Sequence, residues 1–393
     1  MSAASVIGRS FSFETLRSAS ARSEDETIDA LERLTRQGFF RAPAAQDGDL
    51  SYDFSHEKLR AFVYEETSAA RRSRLHARLA EALARSGGRR ESAIAALIGQ
   101  HYRLAGQDSA AARYFNLAGE RAKALRANPE ALAYFQAALA SGHPAAQTLH
   151  EQIGELLTLA GAYSAAMVSY QTAAALAHPA HAPVIEHKIG GLYLRLGAWK
   201  LAEEHFTAAA EGFGQTGDQG LLARILIDLS LAAHRQEEDV EAEALAEQAL
   251  QLAGAGSDRL ALAQAYNIAG VLAAGRGDFA AALKHLHLSL ETAEQLDDLS
   301  PRIAARNNIA LVLRAQGELQ AAEALTRTAL ELCLSQGDRH REAALRNNLA
   351  DLLRAAGHPE ESMAQLKSAV SIFAEIGIDG GSMEPEIWKL VEW

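Results

Sequence analysis

Asparagine returns at a fixed interval in the second half of this chain. Asn267, Asn307 and Asn347 lie 40 residues apart, and Asn308 and Asn348 stand beside two of them in RNNIA and RNNLA. A primary amide both donates and accepts, so a row of amides can hold a peptide backbone whatever its side chains, or can bridge neighbouring helices. Arg314, Asp351 and Arg354 follow a turn or more later along the same helical stretches. An arginine there could grip a carboxylate through two parallel bonds, although an exposed helix face carries such charges in any case.

Other chemistry finds no seat. His178, His181 and His187 cluster around two prolines, and neutral imidazoles can ligate zinc. With no thiolate or well-spaced carboxylate beside them, a loop is expected there instead of a metal site. His56-Glu57 and His150-Glu151 open the H-E-x-x-H pattern, but Arg60 and Gly154 occupy the place of its second histidine. Gly212 to Gly217 spells G-x-G-x-x-G, yet it closes a helix, whereas a dinucleotide site follows a strand. There is no G-x-x-x-x-G-K-[ST] to cradle phosphates and no G-x-S-x-G elbow. The lone Cys333 sits on an apolar helical stripe and is a poor nucleophile. No catalytic residue, cofactor or metal is expected, and the chain is read as a non-enzyme.

The elements that must position the amides follow the same interval. Gly-x-x-x-x-Ala recurs as Gly197/Ala202, Gly277/Ala282 and Gly317/Ala322; Glu237/Ala242 keeps the alanine and Gly357/Ser362 the glycine. Twelve residues after the glycine position stand Ala209, Ala249, Ser289, Ala329 and Ala369, all small, as close helix crossings require. Within one unit, apolar residues fall at helical spacing on both sides of QGEL, so two antiparallel helices are predicted, the first ended by Gly317 in a left-handed conformation. A period of this size means stacked supersecondary units. Composition agrees: 48% hydrophobic but only 6% aromatic, with eight prolines in 393 residues, is a mixture that packs thin helices.

Charge is uneven. Residues 1–90 hold 15 Lys/Arg against 13 Asp/Glu, leaving 23 against 37 for the remainder of a chain whose net charge is −12. Nucleic acid is therefore not expected as a ligand of the repeats. One cysteine excludes a disulfide framework and suits a reducing cytosol. No apolar run reaches the length of a membrane span.

These units resemble the tetratricopeptide repeat, which has about 34 residues in its ordinary form. Ala310, Ala322 and Ala329 fit its three small positions, as do Gly190, Ala202 and Ala209 with Tyr193 and Phe206 at the aromatic places, and Gly154, Ala166 and Ala173 with Tyr170. The resemblance covers roughly 92–376. GQDSAAARYFNLA and NPEALAYFQAALA each look like a second helix, with Asn128 as N-cap and Pro129 at the first helical position. By this alignment Asn267, Asn307, Asn308, Asn347, Asn348, Arg314, Arg354 and Asp351 face the concave groove. RNNIA and RNNLA are similar to repeats of kinesin light chain and of peptide-sensing bacterial regulators, where such asparagines hold an extended ligand.

Residues 1–85 do not follow the repeat. EDETIDALERLTRQGFFR reads as a helix running into a short strand, AAQDGD as a turn and SYDFS as a second strand, a helix and hairpin that suggest a winged helix. HEKLRAFVYEETSAARRSRLHARLAEALAR reads as a long helical stretch with a basic face. Ile7-Gly8-Arg9 with Phe11, Leu31, Leu34 and Gly38, Phe54-Ser55-His56 with Leu59-Arg60, and Arg71-Arg72 with Leu75-His76 are similar to the winged-helix module of signal-transduction ATPases with numerous domains. That class includes relatives of the maltose-regulon activator and of antibiotic regulatory proteins. Their repeats follow the module directly and their ATPase precedes it; with no G-x-x-x-x-G-K-[ST] in this sequence, no ATPase domain is expected within it. The resemblance implies that Arg71, Arg72, Arg74 and Arg78, with Lys58 and Arg60, form a solvated or interdomain face, and DNA contact is not expected.

The sequence thus predicts an all-α tetratricopeptide solenoid, a right-handed superhelix of about seven to eight repeats over 92–376, with a 40-residue pitch from about 187. A winged-helix-like module with a linking helix precedes it over 1–85. Residues 377–393 are expected to cap the array through Trp388, Leu390 and Trp393. The expected role is a cytoplasmic sensor that binds a peptide, a protein segment or a small effector in its groove and relays this to an ATPase or transcription-regulatory partner. The alternative is a self-association scaffold.

Overall fold

The computed structural model describes residues 1–41, 51–88, 91–216 and 218–377, and the chain divides into two compact units, Met1–Ala146 and Gln147–Trp393. The first opens with α1 (Ser2–Ile7), β1 (Ser10–Ser12), α2 (Phe13–Ser20), α3 (Glu24–Arg36), β2 (Phe40–Arg41) and β3 (Ser51–Phe54). Ser23 and Glu26 start α3 as a reciprocal capping box, each side chain accepting from the other residue's backbone N–H. The three strands form an antiparallel sheet in the order β1-β3-β2, with Phe11 opposite Tyr52 and Phe40 opposite Phe54. Phe11, Phe40 and Phe54 meet edge to face at 4.9–6.1 Å and bury Leu16 and Leu31 beneath them. The predicted helix and two strands are present. The third strand, β1, went unread because SFSF alternates over only three paired residues. The expected turn at 44–49 lies outside the described residues.

The predicted long helix from His56 to Arg85 is instead two, α4 (Glu57–Glu66) and α5 (Ala69–Gly87). Thr67 is extended and turns its hydroxyl back on the Val63 carbonyl at 2.7 Å, the competition with the helix ladder that threonine offers. Next come α6 (Glu91–Leu104), α7 (Asp108–Ala124) and α8 (Asn128–Ala140). Asn128 is already helical and Ala127 occupies the cap position, one residue before the expectation. Gly99 lies against Phe115, and Gly119 against Phe135. So α7, expected only as a second helix, is second to α6 and first to α8.

The second unit is a train of antiparallel hairpins: α9 (Ala146–Ala160) with α10 (Tyr163–Leu176), α11 (Ala182–Arg195) with α12 (Trp199–Thr216), and α13 (Gln219–Arg235) with α14 (Asp239–Ala255). They continue as α15 (Arg259–Gly275) with α16 (Phe279–Ala293), α17 (Ser300–Ala315) with α18 (Leu319–Gln336), and α19 (Arg339–Ala355) with α20 (Pro359–Gly377). Each turn holds the predicted left-handed residue, with φ 70–85° at Gly197, Gly277, Gly317 and Gly357, and φ 64° at Glu237. Glu237 accepts the strain because the turn is fixed by the packing on either side of it. The predicted small residues Ala202, Ala242, Ala282 and Ala322 and their counterparts Ala209, Ala249, Ser289 and Ala329 are fully buried at the crossings.

The train closes on itself, which the sequence reading did not anticipate. Ala369, Ile372, Phe373 and Ile376 of α20 share one core with Tyr163, Met167 and Tyr170 of α10 and with Ile185, Ile189 and Leu192 of α11. At its polar heart Arg195, ending α11, donates two parallel bonds of 2.9 and 2.7 Å to Asp338, the N-cap of α19. Asp338 is 1% exposed and Arg195 17%. Beside them the Tyr163 hydroxyl meets His340 Nδ1. Burial alone would lift the Asp338 carboxyl, but the Arg195 charge and hydrogen bonds hold it well below the usual carboxylate range. Burial and then the Arg195 charge depress His340 to about 3, and its Nε2 has no hydrogen-bond partner among the described residues. The expected cap residues Trp388, Leu390 and Trp393 lie outside the described residues.

Arg195→Ala leaves a buried carboxylate without its counter-charge and is expected to cost about 3–5 kcal/mol in urea unfolding followed by helical circular dichroism. Arg195→Met with Asp338→Asn, which keeps an acceptor for the Arg341 N–H, should recover part of that loss. His340 takes its proton near pH 3 in the fold but near 6.5 when unfolded, so its stabilising contribution is complete above 6.5 and is lost as pH falls towards 3. His340→Gln should flatten the fall in stability below pH 6.5 by up to about 1.4 kcal/mol per pH unit. An unchanged slope in the variant refutes the assignment.

Candidate functional site

The first helices of successive hairpins carry the predicted amides, and the structure turns most of them inward. Asn348 Nδ2 donates to Asn307 Oδ1 at 2.9 Å, Asn307 Nδ2 to Asn308 Oδ1 at 3.2 Å, and Asn308 Nδ2 to Asn267 Oδ1 at 3.1 Å. All four are 2–3% exposed, whereas Asn347 is half-buried. The expectation that these asparagines line an open groove is therefore corrected for Asn267, Asn307 and Asn348. Their amides form a ladder across α15, α17 and α19, because neighbouring amides at one register satisfy each other at lower entropic cost than a mobile ligand.

The predicted charges do come together. Asp351 accepts from Arg354 at 3.1 Å and pairs with Arg314 at 3.6 Å, with all three side chains at least 37% exposed. One rung along, a cavity of about 250 Å³ opens between α13, α15 and α17. Val271, Phe279, Leu286, Leu311 and Val312 make its apolar wall, and His234, Asn308 and Arg314 supply the polar groups. Gly275 lets the His234 ring lie against α15, where an added methyl would come within 3.2 Å of it. Asn308 thus serves both ladder and cavity. His234 was missed by the sequence reading, although it stands two 40-residue steps before Arg314. That register, continued backwards, was the signal.

His234 and Arg314 sit in the last turns of α13 and α17, where a helix's negative end favours cations. His234 Nδ1 lies 2.9 Å from Asp239. Arg314 thus already has a counter-charge in Asp351, and one nitrogen of His234 is taken by Asp239.

Elsewhere on the first helices several polar groups pair with one another. Glu151 on α9 accepts from Lys188, His181 and Gln147 at 2.7–2.9 Å. Burial alone would raise its carboxyl, but Lys188 chiefly, by bond and charge, keeps it below the ordinary value. His187 meets Asp228 at 2.7 Å and His178 receives the Ala180 N–H, so His178, His181 and His187 turn to three different partners. Among the described residues no group of three or more His, Cys, Asp or Glu is arranged to hold a metal. Cys333 is buried, donates to the Asp338 carbonyl at 3.3 Å, and is pushed up to about 12 by burial and then by Asp338. No described helix is long and apolar enough to cross a membrane.

Residues 182–255 and 301–375 match the tetratricopeptide-repeat family. These segments carry tetratricopeptide repeats. Among solved structures, the chain is similar to a Rap protein complexed with Competence and Sporulation Factor (TM-score 0.56, 12% identity, 92% of this chain and 95% of that one). It is also similar to the apo form of RapI (0.50, 13%, 67% and 98%). A third is a signal transduction ATPase with numerous domains from Pyrococcus horikoshii, with a tetratricopeptide repeat sensor (0.51, 13%, 99% and 60%); the chain spans 60% of that protein's length. At these identities the likeness is one of fold. No curated protein matches the chain.

The ladder joins α15, α17 and α19, the first helices of consecutive hairpins, and its removal should be felt as stability. Asn307→Ala strips a buried donor and acceptor from the middle of the row and is expected to destabilise by about 1–3 kcal/mol. Asn347→Ala, on the half-buried neighbour, should change stability by no more than about 0.5 kcal/mol. Thermal unfolding of the two variants checks the contrast; equal losses would contradict the ladder.

Proposed function

We propose that the inner face of the tetratricopeptide repeats binds a peptide, a protein segment or a small effector, seated at the cavity between α13, α15 and α17. The observation that carries this reading is the combination of an apolar pocket with His234, Asn308 and Arg314 at its edge, the arrangement of a few convergent polar groups over an apolar floor that ligand sites share. An apolar side chain enters against Val271, Leu286 and Leu311, and a carboxylate displaces Asp351 from Arg314 in a bidentate pair. The Rap protein of similar fold is complexed with Competence and Sporulation Factor, which supports recognition as the task and turnover as no part of it. On the same reading the N-terminal sheet and helices are a winged-helix module, and the chain acts with an ATPase or transcription-regulatory partner to which occupancy of the repeats is relayed. The similar fold of an ATPase bearing a tetratricopeptide repeat sensor supports that arrangement.

The test uses random heptapeptides with free C-termini, displayed and selected on the full chain, with binding then measured by fluorescence polarisation. Enriched peptides are expected to carry a large apolar residue next to a carboxylate and to bind with Kd on the order of micromolar. Leu311→Glu, which sets a negative charge in the apolar wall, should weaken them about tenfold or more, while Lys367→Ala on α20 leaves them unchanged. Peptides that bind Leu311→Glu as well as the unaltered chain, or no enrichment at all, would remove the proposal.

A further inference from the structure

The N-terminal unit holds a larger cavity that the peptide reading does not use. It is a recess of about 770 Å³ bounded by α1, α2, α3 and α5, and Arg22, Arg33, Arg71, Arg74 and Arg78 line it without a single Asp or Glu among the lining residues. Three arginines of the same unit that face elsewhere pair with acids, Arg17 with Glu14 at 2.8 Å, Arg36 with Glu32 at 3.9 Å and Arg60 with Glu57 at 2.6 Å, and Arg72, Arg85, Arg103 and Arg121 bond to neutral oxygens. None of the five cavity arginines has an ion pair among the described residues. Three of them, at Arg71, Arg74 and Arg78, share one face of α5 at helical spacing, and Arg22 and Arg33 approach from the α2–α3 turn and from α3. Arg22, Arg33, Arg71 and Arg74 are exposed at its mouth and Arg78 is half-buried, so the recess presents concentrated positive charge to any anion that enters it.

A second feature points the same way. The first turn of α5 opens on the cavity through Ser68, Ala70 and Arg71. Ser68 makes no capping hydrogen bond, and the turn contains no acidic residue. The first turn of α3 contains three acids behind its capping box. The free backbone N–H groups of α5 and the positive end of its dipole thus face the recess. Below lie Leu16, Leu31 and Phe40, all nearly inaccessible to solvent. The site is a recess, whereas duplex nucleic acid is read by an element that protrudes into a groove. Its size is that of a small-molecule pocket, and forked guanidiniums match phosphate oxygens.

We infer that this arginine-lined cavity binds a small molecule bearing adjacent phosphates. Isothermal titration of the full chain at constant ionic strength, with tripolyphosphate, ATP, inorganic phosphate and citrate, tests it. Tripolyphosphate should bind one per chain, with inorganic phosphate and citrate weaker by about tenfold or more. ATP binding more tightly than tripolyphosphate assigns the site to a nucleotide; equal affinity assigns it to the bare phosphate chain. Arg71→Ala with Arg74→Ala should lower the affinity about tenfold or more with unchanged helical circular dichroism. Arg17→Ala with Arg36→Ala should not. If the double variant fails to fold, Arg71→Gln alone should still weaken tripolyphosphate severalfold. Retained affinity in the cavity variants, or citrate and phosphate binding as well as tripolyphosphate, would show a diffuse field without a site and overturn the inference, as would no binding of either polyphosphate.

Discussion

The second unit depends on one buried ion pair. Arg195 and Asp338 stand 143 residues apart in the chain, and each would be costly to remove from water alone. Together, bonded in two parallel contacts, they fix the end of α11 against the start of α19, and the apolar core of α10, α11 and α20 surrounds them. An open stack of hairpins leaves a first and a last face to be shielded. Here those two faces shield each other, and the pair sets their register. Apolar packing alone would tolerate sliding by a turn; a bidentate pair with Asp338 also capping α19 at Arg341 N does not.

What the sequence made legible follows from which interactions are local. Turn residues, small crossing residues and the helix pairs flanking them recur at a fixed spacing, so Gly317, Ala322 and Ala329 could each be placed from neighbours in the chain. The left-handed turn even survives at Glu237, where the glycine is missing. Asp218, Asp258 and Asp338, one and then two 40-residue steps apart, are the N-caps of α13, α15 and α19, a local signal that was available and not used. Closure was not legible, because nothing near Arg195 in sequence distinguishes a buried arginine from the solvated ones ending other helices.

The asparagines show the limit of reading a site from residue type. The same amide that can hold a ligand's backbone can hold its own neighbour, and spacing alone does not separate the two. Geometry does: adjacent first helices bring Asn348, Asn307, Asn308 and Asn267 within hydrogen-bond reach, and desolvated amides then pair with each other. The charges predicted beside them behave differently. Arg314, Asp351 and Arg354 lie farther along the same helices, where the side chains stay at least 37% exposed and their pairing is weak enough to exchange.

This division sets a fixed row beside a variable one along the first helices. The ladder ties α15, α17 and α19 together and tolerates no substitution that leaves a buried amide unsatisfied. Two turns on, the column His234, Ala274, Arg314 and Arg354 follows the 40-residue register with a different residue at nearly every step. Where that residue is Ala274, followed by Gly275, the wall recedes and the cavity opens; where it is arginine, a charge stands at the rim. On the proposed reading, recognition can therefore change along this column while the helices stay where the amides hold them. A site built so owes its shape to the smallest residue in the column and its selectivity to the charged ones on either side.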